Sequence, residues 1–156
     1  MPSHAEKNQT EIKNYYRIID PEERLSENEK AEEERKVLAN MPACFPAALR
    51  YVMTRFGFTQ EALAFESKVS ESTIGRYRNG KAESFSEKNV VALCVAMHLP
   101  PWLSFALIAK AGFSFAATKE QQAHSMILNC MYMRSIDEVN EYLRERGTDS
   151  LSRETA

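Results

Sequence analysis

The segment that decides the fold reads FTQEALAFESKVSESTIGRYRNGK and covers residues 58–81. It contains two runs of helix-forming residues, and each follows a hydroxyl residue, Thr59 or Ser70, that can accept a hydrogen bond from the first free N–H groups of a helix. Only three residues separate the first run from the second cap. We expect helices over about 60–66 and 71–78. Two short helices joined by so tight a turn predict a helix-turn-helix.

The residue types within this segment suit the packing and the exposed face of a helix-turn-helix. Ala64 is small where the second helix would cross the first, and Ile74 would point back into the core. The N-terminal part of the second helix is the part that reaches base edges in a major groove. Arginine can bind guanine, glutamate can accept from cytosine, and serine is adaptable. The outward face of the second helix, with Glu71, Ser72, Gly75 and Arg76, would point into a major groove.

Charge is distributed unevenly along the chain. The 156 residues carry a net charge of −2. Residues 41–81 hold 6 basic and 3 acidic side chains, whereas residues 1–40 hold 7 basic and 10 acidic ones. A local excess of positive charge is the pattern that a binding site for a polyanion leaves. A solvated helix face gives the same pattern, so charge alone leaves both interpretations open.

The rest of the chain also divides into helices. Gly57, Gly80, Gly112 and Gly147 each follow a stretch of helical periodicity, as residues that close helices do. No segment shows the alternation of polar and apolar residues that a half-buried strand requires. The sequence therefore predicts an all-α fold. Besides the two short helices, helices are predicted over about 20–40, 46–56, 87–98, 102–111, 119–133 and 136–146.

These boundaries divide the chain into four regions. Residues 1–40 form a charged arm whose helix is capped by Asp20; its thin apolar face is typical of an exposed linker or interaction arm. A helix-turn-helix domain covers residues 41–113. Residues 114–147 are expected to form a C-terminal αα-hairpin, and residues 148–156 a frayed tail.

The central segment resembles a known family. The strings FTQEALA, VSESTI and RYRNGK, at residues 58–64, 69–74 and 76–81, are similar to the Cro/C1-type helix-turn-helix of phage repressors and xenobiotic-response-element regulators. The similarity extends over about residues 45–100, roughly a third of the chain. The resemblance implies a lambda-repressor-like domain of five helices that binds a double-stranded DNA operator. It also implies a homodimer, because repressors of this kind read two half-sites.

The resemblance also implies roles for single residues. Gln60, first in its helix, would hold a phosphate with its amide and with the helix N-terminus. Glu71, Ser72 and Arg76 would face bases. The phosphate contacts that the resemblance implies come from Thr59, Gln60, Thr73, Arg78, Asn79 and Lys81.

Some positions depart from the usual pattern of this family. Lys68 replaces the turn glycine, so it must adopt a left-handed conformation at some steric cost. Glu71 is acidic where glutamine is frequent, so it would tolerate only certain bases. His98 stands where a glycine commonly ends the fourth helix.

Gly75 lies inside the second helix, where glycine costs about 1 kcal/mol relative to alanine. It therefore indicates a close backbone approach.

Several classes of function lack support in the sequence. No run of 18 apolar residues and no apolar leader occurs, so we expect a cytoplasmic protein without a membrane partner, associated with the nucleoid when DNA-bound. His4, His98 and His124 have no ligand spacing, and no phosphate-binding glycine motif or nucleophile motif is present. We therefore expect no metal, no cofactor and no enzymatic activity. The three cysteines, far apart in sequence, fit reduced core thiols.

Two functions fit these features. The first is a sequence-specific DNA-binding transcriptional regulator of the Cro/C1 type. The second is a non-enzymatic protein-interaction or accessory module, for example antitoxin-like or fused to an upstream domain, that uses the helix-turn-helix as a scaffold. Affinity for DNA that falls steeply with salt is expected of the first function only.

Overall fold

The computed structural model describes residues 24–115 and 118–152. Within these ranges every regular element is an α-helix, which confirms the predicted all-α class. The predicted helix cap Asp20 lies outside them. None of the described helices is both long enough and apolar enough to cross a membrane. In chain order the helices are α1 Arg24–Asn40, α2 Phe45–Arg55, α3 Gln60–Ser67, α4 Glu71–Asn79, α5 Glu87–Ala96, α6 Pro101–Lys110, α7 Lys119–Cys130 and α8 Ile136–Glu145.

Local signals in the sequence account for most helix boundaries. Five helices, α3, α4, α5, α7 and α8, begin behind a serine or threonine whose hydroxyl accepts a hydrogen bond from the N–H three residues later. Two boundaries differ from the prediction by more than one residue: α5 ends at Ala96 rather than near His98, and α7 ends at Cys130 rather than near Met133. The carbonyl of Tyr132 accepts a hydrogen bond from Nδ1 of His98 at 2.8 Å, so this part of the chain serves a tertiary contact.

Helix α5 is the centre of the core. Every residue from Val90 to Ala96 is buried, as expected of a helix that is apolar on all sides. It contacts α3, α6, α7 and α8, while α2 contacts α4 and α6. The buried apolar side chains form one cluster, which runs from Val37 in α1 to Leu151 after α8. The helix-turn-helix and the C-terminal helices therefore share one core.

The C-terminal segment packs on this core. Leu151 is only 4% exposed, and its backbone N–H donates to Oδ1 of Asn140 at 2.8 Å. The Nδ2 of Asn140 donates to Oγ of Ser152 at 2.9 Å. The sequence predicts a frayed tail over 148–156. In the structure, residues 148–152 are held in place because the side chain of Leu151 is buried in the core. Local sequence signals carry no information about such a contact.

Helix α1 is attached to the domain by its C-terminal end. Val37 is 2% exposed and Met41 is 7% exposed, so both belong to the core. Glu33 forms an ion pair with Arg55 of α2. The other side chains described in this helix are exposed or half-buried. The arm is therefore anchored at one end and solvated along most of its length.

The three cysteines lie in different environments. Cys94 is fully buried in α5, and burial raises the pKa of its thiol to about 12 although a hydrogen bond with Ser104 lowers it. Cys44 and Cys130 are exposed. The expectation of core thiols therefore holds for Cys94 and is wrong for the other two, which stand at the start of α2 and the end of α7. All three are free thiols.

A buried titratable cluster joins α5 to α7. The side chain of His124 is 0% exposed; its Nδ1 lies 3.8 Å from Oε2 of Glu87, and its Nε2 lies 3.9 Å from Oε1 of Glu120. Burial lowers the pKa of His124; the Glu120 charge opposes this shift and the Lys88 charge adds to it. Burial, and then the charge of Glu120, raises the pKa of Glu87. Both shifts therefore favour the uncharged forms of His124 and Glu87.

We expect His124 to make the stability of the protein sensitive to acid. Its pKa in the folded state lies below the ordinary value of 6.5, so below that pH the unfolded chain binds more protons and acidification favours unfolding. The slope is at most about 1.4 kcal/mol per pH unit, and it ends below the folded pKa. Glu87 acts in the opposite direction: with a raised pKa, the stability that it contributes is present in acid and lost as the pH rises through its folded pKa.

The variant His124→Phe isolates the histidine. Phenylalanine is of similar size and can keep the ring contact with Phe115, whose centroid lies 6.2 Å away, while Glu87 stays in place. Urea unfolding between about pH 7.5 and 5.5 should give a free energy of unfolding that falls more steeply with acid in the wild type than in the variant. Parallel pH profiles would contradict the assignment.

Candidate nucleic-acid interface

The turn between α3 and α4 contains the left-handed residue that the sequence predicts. Lys68 has φ 61° and ψ 16°, and its N–H donates to the carbonyl of Ala64 at 3.0 Å. Its ammonium group forms an ion pair with Asp137 of α8. Val69, the next residue, is 6% exposed. His98, the other position without the usual glycine, is also left-handed, with φ 51°. At both positions the backbone therefore adopts the left-handed conformation although the residue is not glycine.

Helix α4 packs through one face and exposes another. Ile74 of α4 and Leu63 of α3 are both 0% exposed, and the two helices contact each other. Glu71, Ser72 and Arg76 are all exposed. Residues four apart lie one above the other on a helix, so Ser72 and Arg76 share a face that Glu71 borders. The structure thus brings the three predicted base-contacting side chains together on one exposed surface.

Hydrogen bonds connect the cap of α4 to Arg76. The Oγ of Ser70 accepts from the backbone N–H of Thr73 at 3.2 Å and donates to the Oγ1 of Thr73 at 2.7 Å. The same Oγ1 accepts from Nη2 of Arg76 at 3.3 Å. Thr73, a predicted phosphate contact, is therefore half-buried and oriented by its neighbours. The guanidinium of Arg76 is held close to the start of the helix.

Gln60 connects α3 to both ends of α4. Its Nε2 donates to the carbonyl of Glu71 at 3.1 Å, and its Oε1 accepts from Nη1 of Arg78 at 3.3 Å. A Cβ at Gly75 would lie 3.1 Å from this Nε2, closer than ordinary van der Waals contact. Gly75 is therefore the close approach that the sequence predicts, and Gln60 is its partner. Both polar groups of the Gln60 amide are engaged within the protein.

Tyr77 positions the C-terminal half of α4, a role that was not predicted from the sequence. Its side chain is buried between two aromatic rings, with centroids 6.1 Å from Phe45 and 5.1 Å from Phe85. Its hydroxyl accepts from the backbone N–H of Ser86 at 2.9 Å and from Nδ2 of Asn89 at 3.3 Å. The available signal was its spacing, three residues after Ile74 on the buried face.

The end of α4 carries further polar groups. Gly80 closes the helix with φ 73°, a conformation that glycine adopts without steric cost. The Oδ1 of Asn79 accepts from the backbone N–H of Lys81 at 3.0 Å, and both residues are exposed. The guanidinium of Arg50, on α2, donates to the carbonyl of Arg78. Arg50 was missed because an exposed arginine in an otherwise apolar helix has no motif around it.

Two grooves follow α4. One, of about 480 Å³, has Arg76 and Lys81 among its lining residues. The other, of about 890 Å³, lies between the start of α4 and the C-terminal segment, and contains Lys68 and Lys88. We call the first the recognition groove and the second the tail groove. Both are lined by Thr73, Ser86 and Asn89.

The described residues contain no group of three or more His, Cys, Asp or Glu side chains arranged to hold a metal ion.

The predicted phosphate contacts form separate pairs: Gln60 with Arg78, and Asn79 with Lys81. The hydroxyl of Thr59 caps α3 by accepting from the N–H of Ala62 at 3.1 Å. Helix α4 is therefore exposed on one face, supported by its neighbours, and bordered by two grooves that contain basic side chains.

Comparison with known proteins agrees with this geometry. The family model described as Helix-turn-helix matches residues 49–101. No curated protein and no solved structure matches the chain. The matched region begins in α2 and ends at the first residue of α6, so it contains α3, α4 and α5 complete. Residues 49–101 are therefore a helix-turn-helix domain of the DNA-binding Cro/C1 type, within a lambda-repressor-like all-α fold.

Proposed function

We propose that the protein is a sequence-specific transcriptional regulator that binds a double-stranded DNA operator as a homodimer, without catalysis, in the cytoplasm. Helix α4 would enter the major groove with Glu71, Ser72 and Arg76 directed at base edges. One observation carries this proposal: the exposed face of α4 is held at both ends, by Gln60 and by Tyr77. Base readout needs such support, because a loosely held helix loses the geometry of its contacts.

The surrounding polar residues would position α4 on the DNA backbone. Asn79 and Lys81 are exposed at the end of α4, and Lys81 lines the recognition groove, which supports direct phosphate contacts. The Gln60 amide is engaged between the helices, so we assign Gln60 a bracing role and a phosphate contact through its backbone N–H at the start of α3. Thr59, Thr73 and Arg78 would complete the set of phosphate contacts.

Glu71 sets a limit on what this interface can bind. Its carboxylate lies in the first turn of α4 and is exposed, so it would repel phosphates and accept a hydrogen bond from cytosine N4. Within residues 41–81 the basic excess is small, which predicts weak binding to random DNA. We therefore infer that tight binding depends on base contacts and on two half-sites in a dimer.

Selection of bound duplexes from a random DNA pool, with the full chain at several salt concentrations, tests the proposal. We expect an enriched inverted repeat with half-site centres about one helical turn apart, and affinity that falls steeply with salt. Sedimentation with and without the selected duplex would show the dimer, and a strict monomer in both would contradict that part. No enrichment and no salt-dependent retention would favour a protein-interaction or accessory module instead.

A further inference from the structure

The recognition groove and the tail groove share lining residues, so together they make a path along α4. Three residues, Thr73, Ser86 and Asn89, line both. Basic side chains line both grooves: Arg76 and Lys81 line the recognition groove, and Lys68 and Lys88 line the tail groove. A polyanion bound at one end of this path would therefore meet further cations by following it to the other.

The cations of the tail groove pair with carboxylates of α7, α8 and the C-terminal segment. Lys68 pairs with Asp137 of α8. The Nζ of Lys88 lies 3.1 Å from Oδ2 of Asp149 and 3.5 Å from Oε1 of Glu120. Partial burial lowers the pKa of Lys88, but the hydrogen bond to Asp149 and the charge of Glu120 outweigh it and raise the pKa, so Lys88 stays charged.

We propose that the tail groove is a second part of the DNA interface, where Lys68 and Lys88 bind backbone phosphates once Asp137 and Asp149 release them. The acidic side chains thus compete with DNA for these lysines and lower the affinity of the resting protein. This inference rests on the proposed function and extends its surface beyond α4.

The strength of the two ion pairs suits such an exchange. The side chains of Asp137 and Asp149 are 75% and 81% exposed, and those of Lys68 and Lys88 are 47% and 34% exposed. Pairs so open to solvent are weak and are screened by salt. Phosphates of DNA release condensed counterions when they bind lysine, a gain that a single exposed carboxylate does not provide. The lysines can therefore change partners without unfolding the segment.

The position of the carboxylates is nevertheless fixed. Leu151 is buried and its N–H is bonded to Asn140, so Asp149 is tethered two residues before an anchored position. Asp137 lies in the first turn of α8, which packs on α5. Because both acids are held beside their lysines, they compete at high local concentration.

The double variant Asp137→Asn with Asp149→Asn tests the proposal, because asparagine keeps the shape and removes the charge. The matched control is Glu141→Gln with Glu145→Gln, two exposed positions in α8 that change the net charge equally. Binding to the selected duplex and to random duplex is measured over a series of salt concentrations. We expect affinity at low salt to rise about 3- to 10-fold above the control, and the slope of log affinity against log salt to steepen by about 1 to 2.

Adding Lys68→Ala and Lys88→Ala to the double variant should abolish the gain. If the double variant and the control bind alike while the wild type binds DNA, the tail-groove proposal is overturned and the proposed function stands. If no form binds DNA, both fall. A gain that survives removal of the two lysines also overturns the proposal, because it would then come from net charge alone.

Discussion

Replacing Ile74 with alanine is expected to lower the free energy of unfolding by about 2–5 kcal/mol. Ile74 has no exposed surface and lies on the face of α4 that packs against α3 and the core. Alanine removes three heavy atoms there and leaves a cavity, which the braced helix cannot close easily because Gln60 and Tyr77 hold α4 in place. The cost should therefore fall in the upper part of the range.

A graded series of variants distinguishes packing from other effects. Ile74→Val should cost about 0.5–1.5 kcal/mol, between the wild type and alanine. The matched control Ser72→Ala lies on the exposed face of the same helix and should stay within about 0.5 kcal/mol of the wild type. Urea unfolding followed by circular dichroism measures all three. If Ile74→Ala lowers the free energy of unfolding by less than about 1 kcal/mol, Ile74 does not stabilise the packing of α4 against α3.

The parts of the fold that sequence predicts well are those encoded within a few residues. The caps at Ser70 and Ser86 and the left-handed residue at Gly80 depend on hydrogen bonds that span a single helical turn. The left-handed conformation of Lys68 was predicted from the resemblance, because Lys68 stands where that family usually has a turn glycine. The exposed position of Arg76 follows from helical spacing once Ile74 is placed inside.

The parts that sequence does not predict depend on distant residues. Lys68 pairs with Asp137 across 69 positions, and Arg50 reaches the carbonyl of Arg78 across 28. Leu151 is a lone apolar residue in a polar stretch, so no periodicity marks it for burial. Local patterns report secondary structure, whereas these contacts require the relative positions of helices.

Gly75 shows how a sequence signal can be correct and incomplete. A glycine inside a helix indicates a close approach, because its cost needs a compensating contact. Which residue approaches could not be read from spacing, and the structure identifies the amide of Gln60. A residue assigned to phosphate by resemblance thereby acquires a bracing role within the protein.

Replacing Arg76 with alanine is expected to weaken binding to the selected operator by about 1–3 kcal/mol, or roughly 5- to 150-fold, and to relax one base position. Arg76 is exposed, and its guanidinium is oriented by the hydroxyl of Thr73 at 3.3 Å. A preoriented guanidinium can form two parallel hydrogen bonds to guanine, which a shorter side chain cannot replace. Arg76→Lys should bind with intermediate affinity, because it keeps the charge but loses the bidentate geometry.

Lys81→Ala is the matched control, since it removes one charge from the same groove without touching the base-reading face. It should weaken binding to all sequences alike and reduce the salt slope by about one unit, with base preference unchanged. Competition between the selected duplex and single-base variants, measured for each protein, separates the two effects. If Arg76→Ala loses affinity uniformly, as Lys81→Ala does, then Arg76 binds a phosphate and base readout falls to Glu71 and Ser72. If neither variant changes DNA retention, α4 is not a recognition helix, and the exposed face of this domain serves a protein partner.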